Sequence, residues 1–282
     1  MEYVTLSNGV QMPQLGYGVF QVPNAETKAC VSDALKVGYR LIDTAQAYGN
    51  EEGVGAAIAA SGVPREELFI VTKVWISNAG EEKAAASIDE SLRKLGTDYV
   101  DLLLIHQPIS DYYGTYRAME AAYKAGKARA IGVSNFLPDR LVDLCNFAEI
   151  PPMVNQVETH VFMQQRKARE VMAEYGVQPM AWAPFAEGRN DLFTNPVLVA
   201  VGAKYGKSAA QVALRYLLQC GIVAIPKSTH IERMEQNLDV FDFTLDATDM
   251  DAIQALDEKS SQFFDHADPK AVQMLADMGK AK

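Results

Sequence analysis

Apolar residues in this chain fall into short strand-length runs that alternate with longer stretches in which they recur at helical spacing. The chain opens with Tyr3-Val4-Thr5-Leu6 and Val10-Gln11-Met12-Pro13 on either side of Ser7-Asn8-Gly9. Asn-Gly between two short alternating runs predicts a hairpin with a two-residue turn. Leu15–Phe20 follows as a first core strand, its glycines allowing another backbone or a ligand to come close. A helix from Ala25 to Val37, stopped by Gly38, leads to a strand at Arg40–Asp43 and a helix from about Glu51 to Ala60. The alternation continues with strands at Leu68–Lys73, Tyr99–His106, Ala128–Val133, Met153–Val157, Gln178–Ala183 and Gly221–Pro226. Helices fall between them at Glu81–Leu95, Thr115–Ala125, Pro138–Phe147, Gln164–Tyr175 and Ala209–Cys220. Strands alternating with helices over a length near the ~250 residues of a (β/α)8 barrel predict that α/β fold. No linker or composition break interrupts residues 1–282, which read as one barrel domain with an N-terminal hairpin and, from Ser260, a covering tail with a short helix.

Composition narrows the function classes. A net charge of −10 disfavours nonspecific binding to nucleic acid or anionic membrane. No apolar run approaches the ~20 residues of a membrane span, and the first residues lack a signal-peptide pattern, so a cytoplasmic location is expected. Cys30, Cys145 and Cys220 show no paired spacing and read as reduced, mostly buried residues. His160, His230 and His266 have no metal-ligand spacing, and no metal is expected.

The candidate chemistry lies where the apolar runs stop. Leu41-Ile42 stops at Asp43, Phe69-Ile70-Val71-Thr72 at Lys73, and the run ending Leu104-Ile105 at His106, with Tyr48 five residues beyond Asp43. Charged groups at the ends of buried strands need partners. Parallel neighbouring strands would bring all four to the carboxyl edge, where α/β barrels hold their sites. Near the C-terminus, Ile222–Pro226 runs into Lys227-Ser228-Thr229 ahead of a helical stretch carrying Arg233 and Asn237. A helix N-terminus after the last strand, with cations beside it, suits a phosphate. A doubly wound dinucleotide fold is disfavoured, because Gly16-Tyr17-Gly18 lacks a third glycine and Gly53-Val54-Gly55 lies in a helix.

Six segments in register resemble the aldo-keto reductases: Asp43-x4-Tyr48, Thr72-Lys73, Leu104-Ile105-His106-Gln107-Pro108, Ile131–Phe136, Asn155-Gln156-Val157-Glu158 and Ile225-Pro226-Lys227-Ser228. The resemblance runs from the hairpin to about Phe243, and is nearest the short bacterial type that includes the 2,5-diketo-gluconate reductases. It implies a barrel that binds NADPH and reduces aldehydes or ketones to alcohols. Tyr48 is then the proton donor, its phenol drawn toward ionisation by Lys73, with Asp43 keeping Lys73 charged and His106 orienting the carbonyl. The same resemblance places Ser134, Asn135 and Gln156 on the nicotinamide carboxamide, Trp182 against the nicotinamide ring, Lys227, Ser228 and Arg233 on the 2′-phosphate, and Gln236 and Asn237 at the adenine. Gln236 stands where a glutamate is common in the family.

Plainer readings stand beside these. Asp43 and Lys73 also suit a structural ion pair, and Lys73 a Schiff-base lyase. A third reading is an NADPH-binding regulatory barrel. Phe20, Trp75 and Gln107 follow or face the cluster as substrate-pocket candidates, although Phe20 and Trp75 serve equally as core. The brief loop after His106 predicts a shallow pocket open to small aldehydes, dicarbonyls and keto-sugars. Nothing in the sequence demands a protein partner, and a monomer is expected.

Overall fold

The computed structural model describes residues 1–280; Ala281 and Lys282, the end of the expected domain, lie outside the described residues. The hairpin forms as β1 (Tyr3–Thr5) and β2 (Gln11–Pro13), with Thr5 opposite Gln11. Its loop spans residues 7–9 rather than two residues. The Leu6 N–H donates to the Val10 carbonyl, and Gly9 takes the left-handed conformation at φ 86°.

Eight strands then lie side by side in chain order: β3 (Tyr17–Gly18), β4 (Leu41–Asp43), β5 (Phe69–Val74), β6 (Leu102–Ile105), β7 (Ile131–Ser134), β8 (Val154–Glu158), β9 (Gln178–Trp182) and β10 (Val223–Ala224). All seven pairings are parallel. The sheet closes on itself, because Leu15 bridges Ala224 and the Gly16 N–H donates to the Ala224 carbonyl at 2.8 Å. Glycine is needed at that seam: a Cβ on Gly16 would lie 2.2 Å from the Leu41 side chain, and one on Gly18 3.1 Å from the Ile225 carbonyl. The result is a (β/α)8 barrel.

Helices wrap the barrel as α1 (Asn24–Val37), α2 (Glu51–Ser61), α3 (Glu81–Leu95), α4 (Tyr112–Lys124), α5 (Pro138–Phe147), α6 (Arg166–Glu174), α7 (Pro196–Tyr205), α8 (Ala209–Gln219), α9 (Ile231–Leu238), α10 (Ala247–Gln254) and α11 (Pro269–Lys280). α3 shows why such segments form. Ala84, Ile88, Ser91, Leu92 and Leu95 make its buried face, Glu81 and Glu82 occupy the first turn, Arg93 and Lys94 the last, and Gly96 ends it at φ 64°. α7 was not expected; it follows irregular 3-10 turns over residues 186–194 and starts at Pro196, with the Asn195 side chain capping the Val197 and Leu198 N–H groups.

Strands covered on both faces bury nearly everything they carry. Ile42, Ile70, Val71, Leu103, Leu104, Ile131 and Val133 are wholly buried, each side chain contributing about 1.5–3 kcal/mol. At the amino-terminal end of the barrel, buried Asp101 takes Arg65 at 2.8 Å and Arg129 at 2.7 Å, leaving the opposite rim for the candidate site. Among the described residues no helix is long and apolar enough to cross a membrane.

Candidate active site

Parallel pairing carries β4, β5 and β6 to the same edge, with Lys73 in register with Leu104 and Asp43 with Val71. Asp43 and Lys73 meet there, Nζ lying 2.6 Å from Oδ1, both side chains being at most 2% exposed. The ammonium donates further to the Thr44 carbonyl at 2.9 Å and to the Tyr48 hydroxyl at 3.4 Å. Three N–H groups thus have three acceptors, as a buried ammonium requires. The second Asp43 oxygen accepts from Gln156 Nε2 at 2.8 Å.

The electrostatics differ in one respect from the sequence expectation. Burial of the Tyr48 phenol raises its pKa, and the adjacent Lys73 ammonium pulls it back only in part, so the net shift is upward rather than toward neutrality. Tyr48 therefore carries its proton at neutral pH. For Lys73 burial acts downward, but Asp43 and the Tyr48 oxygen outweigh it and raise the pKa, keeping the ammonium charged.

His106 closes the cluster. Its ring lies edge-on to Tyr48, centroids 5.5 Å apart, and to Trp75 at 5.0 Å. Trp75 and Gln107 are buried, whereas Phe20 is 51% exposed and forms an outer wall against Tyr48, 5.0 Å away.

The next strand ends extend the same network. Ser134 Oγ donates to the Gln156 carbonyl at 2.8 Å, and Asn135 Nδ2 to the His106 carbonyl at 3.0 Å. Asn135 turns out of β7 at φ 64°, a conformation asparagine tolerates. Its Oδ1 accepts from Trp182 Nε1 at 2.8 Å. Lys73, Asp43, Gln156, Ser134, Asn135, His106 and Trp182 thus form one connected set.

Lys227, Ser228, Arg233, Gln236 and Asn237 lie together on the loop after β10 and on α9. Ser228 is buried and fixed: its carbonyl accepts from the Tyr17 hydroxyl at 2.5 Å and its Oγ from the His230 N–H at 3.0 Å. Asn237 is buried, while Lys227 on the loop, Arg233 in the first turn of α9 and Gln236 in its last turn are exposed.

Sequence reasoning missed the supports. Asn50, wholly buried, accepts from Thr44 Oγ1 at 2.7 Å and donates to the Val19 and Val22 carbonyls, tying the β4 loop to the β3 loop. Glu158, noted only within a motif, is buried at the end of β8. It accepts from Ser261 Oγ at 2.5 Å and the Gln262 N–H at 2.8 Å, with His160 Nε2 at 2.9 Å, and so fastens the tail across the rim. Phe263 then packs on Trp182, centroids 5.3 Å apart. A polar residue at a strand end was the available signal for Glu158; its partners in the tail, Ser261 and Gln262, lie 103 and 104 residues away.

A closed parallel barrel with an aspartate, lysine, tyrosine and histidine joined at its carboxyl rim belongs to the barrels that hold their sites in the loops after the strands. Residues 7–258 match the model of the Aldo/keto reductase family, and the chain belongs to that family. It is 51% identical over 257 residues to the glyoxal reductase of Bacillus subtilis (strain 168), covering 90% of this chain and 92% of that protein. An aldo-keto reductase from a Medee basin deep-sea metagenome library superposes with a TM-score of 0.92 at 43% identity, covering 94% of this chain and 98% of that one. A Bombyx mori aldo-keto reductase solved in complex with NADP superposes at 0.88 with 35% identity, covering 93% and 95%.

Proposed function

We propose that this protein reduces small aldehydes and dicarbonyls to alcohols with NADPH, Tyr48 giving the proton. The observation that carries this reading is the buried Lys73 ammonium held between Asp43 and the Tyr48 hydroxyl. NADPH, when bound, supplies a hydride to the carbonyl carbon, and negative charge then develops on the carbonyl oxygen. Tyr48, protonated at neutral pH, delivers its proton to that oxygen, and Lys73 stabilises the phenolate left behind. Asp43 keeps Lys73 charged and aimed. His106, beside Tyr48, orients the carbonyl oxygen.

The donor set fits the cofactor. Nδ2 of Asn135 is committed to His106 and Ser134, and Nε2 of Gln156 to Asp43 and Met180. The Gln156 oxygen is therefore turned outward, and Asn135 Oδ1 keeps a second lone pair beside the one that accepts from Trp182 Nε1, the complement of a carboxamide NH2. Trp182 offers a flat ring beside Asn135 for the nicotinamide. Lys227, Ser228, Arg233 and the first N–H groups of α9 suit the 2′-phosphate, with Gln236 and Asn237 one turn on for the adenine. Phe20, Trp75 and Gln107 line the substrate side. Likeness to a glyoxal reductase supports small dicarbonyls as substrates.

A Schiff-base role for Lys73 is disfavoured, since an ammonium with three acceptors and a raised pKa is a poor nucleophile. The test is NADPH oxidation with glyoxal or methylglyoxal, comparing the intact protein with Tyr48→Phe. Turnover lost in the variant while NADPH still binds supports the reading. NADPH binding without turnover on a broad carbonyl panel favours a regulatory barrel, and no NADPH binding overturns both.

A further inference from the structure

The Tyr48 ring packs against Phe20 and His106, with the Lys73 ammonium 5.0 Å from its centroid, but none of these contacts fixes the hydroxyl. Its hydroxyl touches Lys73 at 3.4 Å, near the limit of a hydrogen bond, and the Phe20 wall is half-exposed. Its placement therefore depends on the short 3-10 helix Gln46–Tyr48 that carries it, and on what anchors that turn.

One side chain does so. Oε1 of Gln46 accepts from the Trp75 N–H at 2.9 Å and from Asn78 Nδ2 at 2.9 Å. Its Nε2 faces the Ser87 carbonyl at 3.2 Å, Ser87 Oγ at 3.1 Å and Ser91 Oγ at 3.1 Å on α3. A single amide thus uses both lone pairs and both hydrogens to join three segments: the Tyr48 turn, the strand-end turn from Trp75 to Asn78, and α3. Trp75 and Tyr48 both flank His106. Behind this clamp, α11 presses on the turn Ile76–Asn78 so closely that a Cβ on Gly279 would lie 2.8 Å from the Ile76 side chain. A half-open crevice of about 100 Å³ bounded by Gln46, Trp75, Asn78 and Ser91 lies beside the clamp.

We propose that Gln46 is a positioning residue: through its amide it sets Tyr48 against Lys73 and Trp75 against His106. The inference rests on the reading of Tyr48 as proton donor; Gln46 acts through Trp75, Asn78, Ser87 and Ser91, the groups its amide holds. Gln46→Leu keeps the bulk and removes every polar contact. Because a misplacement of about 1 Å costs on the order of 10²-fold, kcat with methylglyoxal should fall about 10- to 100-fold while the KM for NADPH stays unchanged. The deuterium isotope effect on kcat with [4-²H]NADPH should rise as the chemical step becomes slower. A fold defect alone would lower the active fraction and leave that isotope effect where it was. Gln46→Glu, which keeps the acceptor for Trp75 and Asn78, should recover part of the rate. In ¹³C-tyrosine spectra, the Tyr48 resonance, assigned by its absence in Tyr48→Phe, should move or broaden in Gln46→Leu.

An unmoved Tyr48 resonance, or an unchanged kcat and isotope effect, overturns the proposal. If Gln46→Leu does not fold, Asn78→Ala and Ser91→Ala each remove one arm of the clamp and should give smaller changes of the same sign; no change in either overturns it. If the unsubstituted protein reduces no carbonyl, the reductase reading falls, and the Tyr48 resonance still decides whether Gln46 holds the turn.

Discussion

Replacing Lys73 with methionine removes the ammonium on which the candidate site is built and leaves the Asp43 carboxylate buried at 1% exposure, with Gln156 Nε2 as its remaining side-chain donor. Removing one partner of a buried ion pair costs about 3–5 kcal/mol, because the other charge stays desolvated. With an unfolding entropy of about 2.1 cal/mol/K per residue, the 282-residue chain loses roughly 0.6 kcal/mol per degree, so the melting temperature should drop by about 5–8 °C. Asp43→Asn should cost a similar amount by stranding the ammonium. The double variant, with no stranded charge, should melt above either single variant. Its kcat should nevertheless stay about 10²- to 10⁴-fold below the unsubstituted protein, the range for lost acid catalysis. Calorimetry and steady-state kinetics on the four proteins separate the two effects. The pH sign follows from the raised Lys73 pKa. The stabilisation is fully present below the unfolded lysine value of about 10.4 and is lost as pH rises through the higher folded value. The melting difference should therefore hold steady from neutrality into mild alkali. Single-variant losses below about 2 °C, or a double variant equal to the sum of the singles, would refute the reasoning.

Other expectations follow from particular residues. Lys227→Ala and Arg233→Ala should each raise the KM for NADPH about tenfold, the lower range for exposed charge-assisted contacts, with little effect on NADH; equal effects on both cofactors would remove them from the 2′-phosphate. Glu158→Gln should speed hydrogen exchange over residues 261–264. Burial acts upward on the Glu158 pKa, but hydrogen bonds from His160, Ser261 and the Gln262 N–H outweigh it and hold the carboxyl below its usual range. The tail's attachment should therefore persist above the unfolded carboxyl value of about 4.3 and loosen as pH falls through the lower folded value. Exchange that does not change with either perturbation would contradict the latch. Gly132→Ala should destabilise the barrel by about 1–3 kcal/mol, since its Cβ would lie 2.4 Å from the Val154 carbonyl; an unchanged melting curve would argue against that close approach.

Much of the site was legible because a parallel barrel turns a local rule into a spatial one. Asp43, Lys73 and His106 each interrupt an apolar run, and parallel register brings successive strand ends to one rim, so their convergence followed from order alone. Strand and helix limits were less legible. The expected strand from Ala128 begins at Ile131, with Ala128 bridging only Val100, because pairing decides where a strand begins. The direction of the Tyr48 shift was also hidden, since composition shows the neighbouring charge but not how much water is excluded.

The sequence by itself thus determined the alternation, the barrel class, the polar residues at the strand ends and the cations Lys227 and Arg233 about the start of α9, all set by local pattern and chain order. Only the tertiary structure decided which groups close the network. Gln156 reaches Asp43 across 113 residues, Ser261 reaches Glu158 across 103, and Gln46 gathers Trp75, Asn78, Ser87 and Ser91 around one amide. Such hydrogen bonds leave no periodicity to read, because donor and acceptor meet only after the strands have paired and the helices have packed.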